Sequence, residues 1–251
     1  MAKQKGIIKL QGTIGDITFV KTKDGYLAKE KTSVNGNRIA TDAAFLRTRE
    51  NNAEFGRAGK AGKVLRRAIQ LLLQQAKDSR VTSRLTKEMM KVLKADSTST
   101  RGLRNVVDGE AELLEGFEFN LNAKLSATIF AAYTCTADRV TGTLAVSLPP
   151  FVPNQFIAGP EGSTHFKIVS AGAEVDFEAS SFVSASSDST ILPLNGNATN
   201  ALNLSNAVTP NSTHPLFLLL GIQFYQQVNG INYPLKNGAF NALNLVKVNG
   251  V

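Results

Sequence analysis

With a single cysteine, Cys135, the 251-residue chain can form no intrachain disulfide, so its fold must be held by a core rather than by covalent staples. Cys135 sits in an apolar alternating segment with no base near it in sequence, which favours an inert thiol over a nucleophile. Histidine occurs only at positions 165 and 214, and neither has carboxylate or cysteine neighbours at metal-ligand spacing. Both read as structural, and no metal is expected. Long hydrophobic runs are missing too. The longest strongly apolar one, residues 216–222, is far short of the roughly 18 residues that a membrane-spanning helix needs. Residues 1–9 are basic, but no apolar stretch of useful length and no small-residue cleavage site follow them. The expectation is a protein made in the cytoplasm without a classical export signal, one that a released particle or filament could still carry out of the cell.

Enzyme signatures are equally sparse. No G-x-S-x-G, Walker or H-E-x-x-H pattern occurs, so neither catalysis nor a cofactor is expected. Glu174, Asp176 and Glu178 alternate along one segment and could hold a cation, although a solvated strand face is the commoner outcome of such a pattern. A hydrolase with dispersed carboxylates is a third and minor reading beside the two developed below.

Charge is what the chain does have, and it is unevenly spread. Residues 1–110 carry 23 Lys and Arg against 11 Asp and Glu, and residues 111–251 carry 5 against 9. The halves are therefore +12 and −4, which sum to the net +8. Such asymmetry points the first half toward something anionic: nucleic acid, a membrane surface or the acidic half of another copy.

Residues 6–31 read as β-structure broken by Gly6, Gly12 and Gly15, with Asp24-Gly25 as a tight hairpin turn and Tyr26 opening the return strand. A hairpin with so few apolar residues is marginal alone and must pack on something. From Thr41 or Asp42, either of which could cap it, a helix carries Phe45, Leu46, Ala53 and Phe55. A second helix is expected to run through Lys77. Its apolar arc holds Val64, Leu65, Ala68, Ile69, Leu71, Leu72, Leu73 and Ala76, and its opposite arc holds Lys60, Lys63, Arg66, Arg67 and Lys77. Residues 80–94 repeat the pattern, with Arg80, Arg84, Lys87, Lys91 and Lys94 in one outward sector. Residues 101–115 are expected to form a third, less regular helical segment, and Gly116 marks a boundary.

Beyond it the period becomes two. Strands are expected at residues 117–121, 125–135, 143–148, 165–171, 174–177, 216–226, 231–235 and 240–248, with Asn229-Gly230 as a hairpin turn. The Ser, Asn and Thr-rich residues 180–215 read as long exposed loops. Short strands separated by Gly, Pro, Asn and Ser point to an immunoglobulin-like antiparallel sandwich.

Gly56, Gly59 and Gly62 have basic neighbours, but the spacing is not that of a phosphate-binding loop. A flexible joint or a close helix contact fits better. If the helix runs through, Gly56 and Gly59 fall on its polar arc, where another subunit could come close. The paired basic faces could bind nucleic acid through phosphates, without reading sequence, or could simply be solvated.

Two stretches carry a resemblance. Lys5-Gly6-Ile7-Ile8-Lys9-Leu10-Gln11-Gly12-Thr13-Ile14-Gly15-Asp16-Ile17-Thr18-Phe19 leads to Lys23-Asp24-Gly25-Tyr26, and Arg47-Thr48-Arg49-Glu50-Asn51 follows. Together they resemble uncharacterised bacterial proteins, largely from Bacteroidota, that begin with a glycine-spaced β-hairpin. The resemblance covers chiefly the first 110 residues. It implies a glycine-rich start, a helical middle and a β-sandwich end, and supplies no function.

The expected protein is thus α+β, with a hairpin arm over residues 1–40, a basic helical region over 41–115 and a β-sandwich over 116–251. Its expected role is self-assembly as the subunit of a filament, tube or phage-like shell, with other copies of itself as partners. Gly6, Gly12, Gly15, Tyr26, Gly56 and Gly59 are the candidate assembly residues. The alternative is nucleic-acid binding through Lys60, Lys63, Arg66, Arg67, Arg80, Arg84, Lys87, Lys91 and Lys94.

Overall fold

The computed structural model describes residues 1–31, 36–76 and 78–250. The chain is α+β, with an N-terminal antiparallel sheet, a helical middle and a C-terminal antiparallel β-structure curled into an immunoglobulin-like sandwich. It forms two compact units, Met1–Arg49 and Glu50–Val251.

In the first unit β1 (Ala2–Lys3), β2 (Gly12–Ile14), β3 (Ile17–Thr22) and β4 (Gly25–Glu30) form a four-stranded sheet in the order β1-β4-β3-β2. The β3–β4 pair closes at Thr22 opposite Gly25, with Lys23-Asp24 as the loop and Gly25 at φ +112°. The Thr22 hydroxyl accepts from the Asp24 N–H and donates to the Gly25 carbonyl. Residues 6–11, expected as β-structure, are not in the ladder. Next come α1 (Gly36–Thr41) and a 3-10 turn, Ala43–Phe45. Asp42 caps that turn, as the sequence suggests: its carboxylate accepts from the Ala44 N–H and pairs with Arg38 at 3.1 Å, and both contacts hold its pKa below the usual range. None of the described residues of this unit is buried.

The long helix α2 (Leu46–Ala68) carries Gly56, Gly59 and Gly62 inside it, so these glycines are not a joint. Gly62 is the close helix contact: a Cβ there would lie 3.6 Å from Leu85. The helix expected to run on through Lys77 instead breaks at Ile69 (φ −108°, ψ 20°), and a separate α3 (Gln70–Gln75) follows. Leu71 is consequently exposed rather than inward, and Lys77 lies outside the described residues. The helix α4 (Val81–Lys94) matches the second amphipathic segment, burying Val81, Leu85, Met89, Val92 and Leu93.

Residues 101–115 do not form the expected helix. The backbone N–H groups that a helix would pair internally are taken by side chains: Glu54 accepts from Gly102, Asp96 from Asn105 and Asn105 from Asp108. Only the 3-10 turn Ala111–Leu114 is regular.

The second unit continues with β5 (Thr134–Asp138), β6 (Thr143–Leu148), the short α5 (Pro153–Phe156), β7 (His165–Asp176), β8 (Ser181–Asp188), β9 (Leu192–Pro193), β10 (Leu202–Ala207), β11 (Leu216–Val228), β12 (Ile231–Pro234) and β13 (Ala242–Asn249). One sheet has the order β12-β11-β7-β8, with β13 also on β11 and β9 also on β7, and the other has the order β10-β6-β5. The residues expected as two strands across 165–177 are one continuous strand, and the residues expected as loops across 180–215 hold β8, β9 and β10. Residues 117–121, expected as a strand, run beside β13 through a bridge from Glu118 to Asn244, the Phe119 N–H donating to the Leu243 carbonyl and the Leu245 N–H to the Phe117 carbonyl. Phe117 and Phe119 are buried as their alternation implies, whereas Leu121 is exposed.

Alternation assigns the two faces of the larger sheet. Ala171, Ala173 and Val175 of β7 and Phe217 and Leu219 of β11 join Leu65, Leu85, Met89 and Leu93 in one core. Phe166, Ile168, Leu216, Leu218, Leu220 and Ile222 join Leu144, Val146 and Leu148 of β6 in a second core. In β13, Leu243 and Leu245 face the helices and Val246 the smaller sheet, and a register shift opposite Leu218/Leu219 lets Val248 return to the helix side. Helices and β-strands thus share one core in this unit.

The sheets approach closely at Gly172, where a Cβ would lie 2.8 Å from Leu144 Cδ1 and 2.9 Å from Asn206 Cβ. Buried Asn206 pins them together there, donating to Ser170 Oγ (2.8 Å) and accepting from Ser187 Oγ (3.1 Å). No helix of the described residues is long and apolar enough to cross a membrane.

Candidate interaction surfaces

The basic residues read from the sequence divide into two kinds. Lys60, Lys63 and Arg67 on α2, Arg80 just before α4, and Lys87, Lys91 and Lys94 on α4 are exposed. Lys91 pairs with Glu88 at 2.5 Å, a surface contact worth little on the scale of exposed ion pairs. Arg66 is half-buried, donating to the Gly62 carbonyl (3.1 Å) and Thr82 Oγ1 (3.2 Å), so it ties α2 to α4.

Arg84 is bound most firmly. Its guanidinium reaches Asp78 at 2.5 Å and the carbonyls of Glu118 and Phe119 at 2.7 and 3.2 Å, and it lies 5.0 Å from the Phe117 ring centroid. Its Nε is buried and has no hydrogen-bond partner among the described residues. Burial alone would raise the Asp78 pKa, but N–H donation from Leu121 and Arg80 and the Arg84 charge hold it low. Periodicity places Arg84 in the outward sector without revealing this role, because the carbonyls that it bonds lie about 35 residues away in sequence, at the far end of the helix–strand connection.

Beside Arg84 lies an open groove of about 490 Å³, lined by both signs of charge: Lys87 and Lys124 against Glu88, Glu115 and Glu118. Burial raises the Glu118 pKa even though its carboxylate accepts from the Leu125 N–H. A groove of mixed sign is a poor cradle for an anion.

The candidate catalytic groups do not converge. Ser212 Oγ donates to buried Glu174 at 2.6 Å rather than to an imidazole, and His214 Nε2 lies 4.0 Å from Asp176. His165 Nδ1 is 2.9 Å from Thr164 Oγ1. Glu174 also accepts from the Thr209 N–H, so it is not part of the solvated face expected for residues 174–178. The Cys135 thiol is half-buried, and burial, with a lesser contribution from Glu115, pushes its pKa up to about 11. Thiolate chemistry at neutral pH is disfavoured there. Among the described residues no group of three or more His, Cys, Asp and Glu could hold a metal ion.

The assembly candidates are accessible. Gly6, Gly12, Gly15 and Gly56 are exposed, Gly59 is half-buried, and among the described residues nothing beyond the helix's own neighbouring backbone lies within 4 Å of where a Cβ would stand at Gly56 or Gly59. Tyr26 is half-buried, with the Lys9 and Lys21 ammonium groups 5.9 and 5.6 Å from its ring centroid. A further surface, concealed in residues that read as loop, is the edge strand β8, whose Phe182 and Val183 are 38% and 46% exposed.

Known proteins add little. No family model matches the chain, and no curated protein matches it. Among solved structures, the crystal structure of the human F-spondin reeler domain aligns over 48% of this chain and 91% of that domain, at 12% identity and a TM-score of 0.19. A likeness of that size supports no argument about fold or function.

Proposed function

We propose that this chain is a structural, self-assembling subunit of a filament, tube or phage-like shell, made in the cytoplasm and acting without catalysis or cofactor. One observation carries the proposal: a complete four-stranded sheet stands in a unit where no described residue is buried. Ile14 of β2 and Ile17 of β3 are 64% and 48% exposed, and Ile7 and Ile8, beside the ladder but not in it, are 102% and 80% exposed. A sheet needs an apolar face packed on something to be stable, and leaving those isoleucines in water forgoes roughly 1.5 to 3 kcal/mol apiece. Another copy of the chain is the partner that the opposite charges of its two halves favour. Size-exclusion chromatography with light scattering and absorbance at 260 and 280 nm on untagged protein is the test. Large particles free of nucleic acid are expected, and a monomer at all concentrations overturns the proposal.

Nucleic-acid binding is the second reading, favoured by the exposure of Lys60, Lys63, Arg67, Lys87, Lys91 and Lys94. It requires retention that is lost on Lys87→Glu, Lys91→Glu and Lys94→Glu together, and an affinity that falls steeply with salt, by about 0.9 in log–log slope per neutralised duplex phosphate. A salt-independent affinity contradicts it.

A further inference from the structure

Resting on the assembly reading, we propose that the open edge of β8 is the acceptor for residues 7–14 of a second copy, added as a further strand of the larger sheet.

The ladder defines the edge. The Ser189 N–H donates to the Ile168 carbonyl, and the β7–β8 register runs without a shift from there to Asp176 opposite Ser181. Alternation in an antiparallel pair therefore turns the backbone groups of Ser181, Val183, Ala185 and Ser187 toward β7, and those of Phe182, Ser184, Ser186 and Asp188 away from it. The outward N–H groups of Phe182, Ser184 and Ser186 have no hydrogen-bond partner among the described residues. Natural edge strands are blunted by lysine, proline or a bulge. Residues 181–188 contain no lysine, arginine or proline, their register has no bulge, and Phe182 and Val183 stand exposed on them.

Residues 7–14 suit that edge in length, pattern and charge. They equal β8 in length, eight residues each. Ile8, Leu10 and Ile14 recur at even positions, with Lys9, Gln11 and Thr13 between them, a period-two pattern that only Gly12–Ile14 expresses as strand in the single chain. Local bonds from Gln4 to Leu10 hold the rest, and they are exposed and so cheap to exchange. Residues 3–14 carry Lys3, Lys5 and Lys9 and no acid, whereas residues 176–188 carry Asp176, Glu178 and Asp188 and no base. Lys167 of β7 already pairs with Asp188 at 2.8 Å and Asp176 accepts from the Glu178 and Ala179 N–H groups, so exposed Glu178, in the turn at the other end of β8, supplies the attraction. Main-chain bonds would give affinity and the alternate apolar side chains register, as in other strand additions.

Hydrogen exchange on the full-length protein before and after assembly reads the outward amides of Phe182, Ser184 and Ser186 directly. Their exchange is expected to slow by about tenfold or more on assembly. In parallel, Ile8→Cys in one copy is mixed with Phe182→Cys, Ser184→Cys or Ser186→Cys in another, every copy also carrying Cys135→Ser. Oxidation should trap a dimer with at least one of the three, since a disulfide requires Cα atoms within about 7 Å. Particles whose three amides exchange as fast as in the monomer, and from which no dimer is trapped, overturn β8 as the acceptor and leave assembly through another surface standing. A full-length protein that stays monomeric overturns the assembly reading and this proposal with it.

Discussion

Arg84 and Asp78 form a 2.5 Å ion pair that fastens the first turn of α4 to residues 118–121, because the same guanidinium bonds two carbonyls there and the same carboxylate accepts from the Leu121 N–H. Arg84→Ala should therefore destabilise the fold by about 3 kcal/mol, the order expected when one partner of a largely buried, hydrogen-bonded pair is removed. Lys87→Ala, one turn along at an exposed position, should change stability by less than about 0.5 kcal/mol. Urea unfolding of both variants checks the contrast, and equal effects would remove Arg84 from the fold's framework.

Gly172→Ala should cost about 1 to 3 kcal/mol, since the new methyl would meet Leu144 Cδ1 at 2.8 Å and Asn206 Cβ at 2.9 Å, where the two sheets are already pinned. A thermal melt at least as high as that of the parent protein contradicts this.

Gly56→Ala and Gly59→Ala should each stabilise the single chain by up to about 1 kcal/mol, because both lie inside α2 with open space where a Cβ would stand. If another subunit approaches α2 at these positions, the same changes should weaken assembly while raising the denaturation midpoint of the monomer. Chemical denaturation and light scattering on the same samples separate the two effects.

Asp96 gives a pH dependence of known sign. It is 2% exposed, and although burial would raise its pKa, N–H donation from Ser99 and Asn105 and the Thr98 hydroxyl hold it far below the usual carboxylate range. A carboxyl whose folded pKa lies below its unfolded value of about 3.9 stabilises the fold above that pH and loses the contribution as pH falls toward the folded pKa. Asp96→Asn should thus be clearly less stable than the parent at pH 7, with the gap narrowing below about pH 4. A gap constant between pH 7 and pH 3, followed by denaturant unfolding, would contradict the assignment.

The sequence made some of this legible. Alternation located β6 to the residue, and Asn229-Gly230 does turn β11 into β12, with φ +51° and +79°. Heptad-like spacing found the inward face of α4. What stayed hidden had a weak or polar signature: β8 is exposed along most of its length, so its serines read as loop, and β10 alternates but buries only Leu204 and Asn206, inside a Ser, Asn and Thr-rich stretch. The failed helix at residues 101–115 follows from long-range bonds made by Glu54 and Asp96, which no local propensity reports. Among the candidate site residues, exposure followed the amphipathic pattern except at Arg66 and Arg84, whose partners the pattern does not contain.

The most direct test of the central claim is the particle mass, by light scattering, of the full-length chain beside a chain lacking residues 1–31. The second unit keeps both of its cores in that truncation, so the shortened chain is expected to stay folded and monomeric while the full-length chain forms large particles free of nucleic acid. Particles of undiminished mass from the shortened chain would contradict the account.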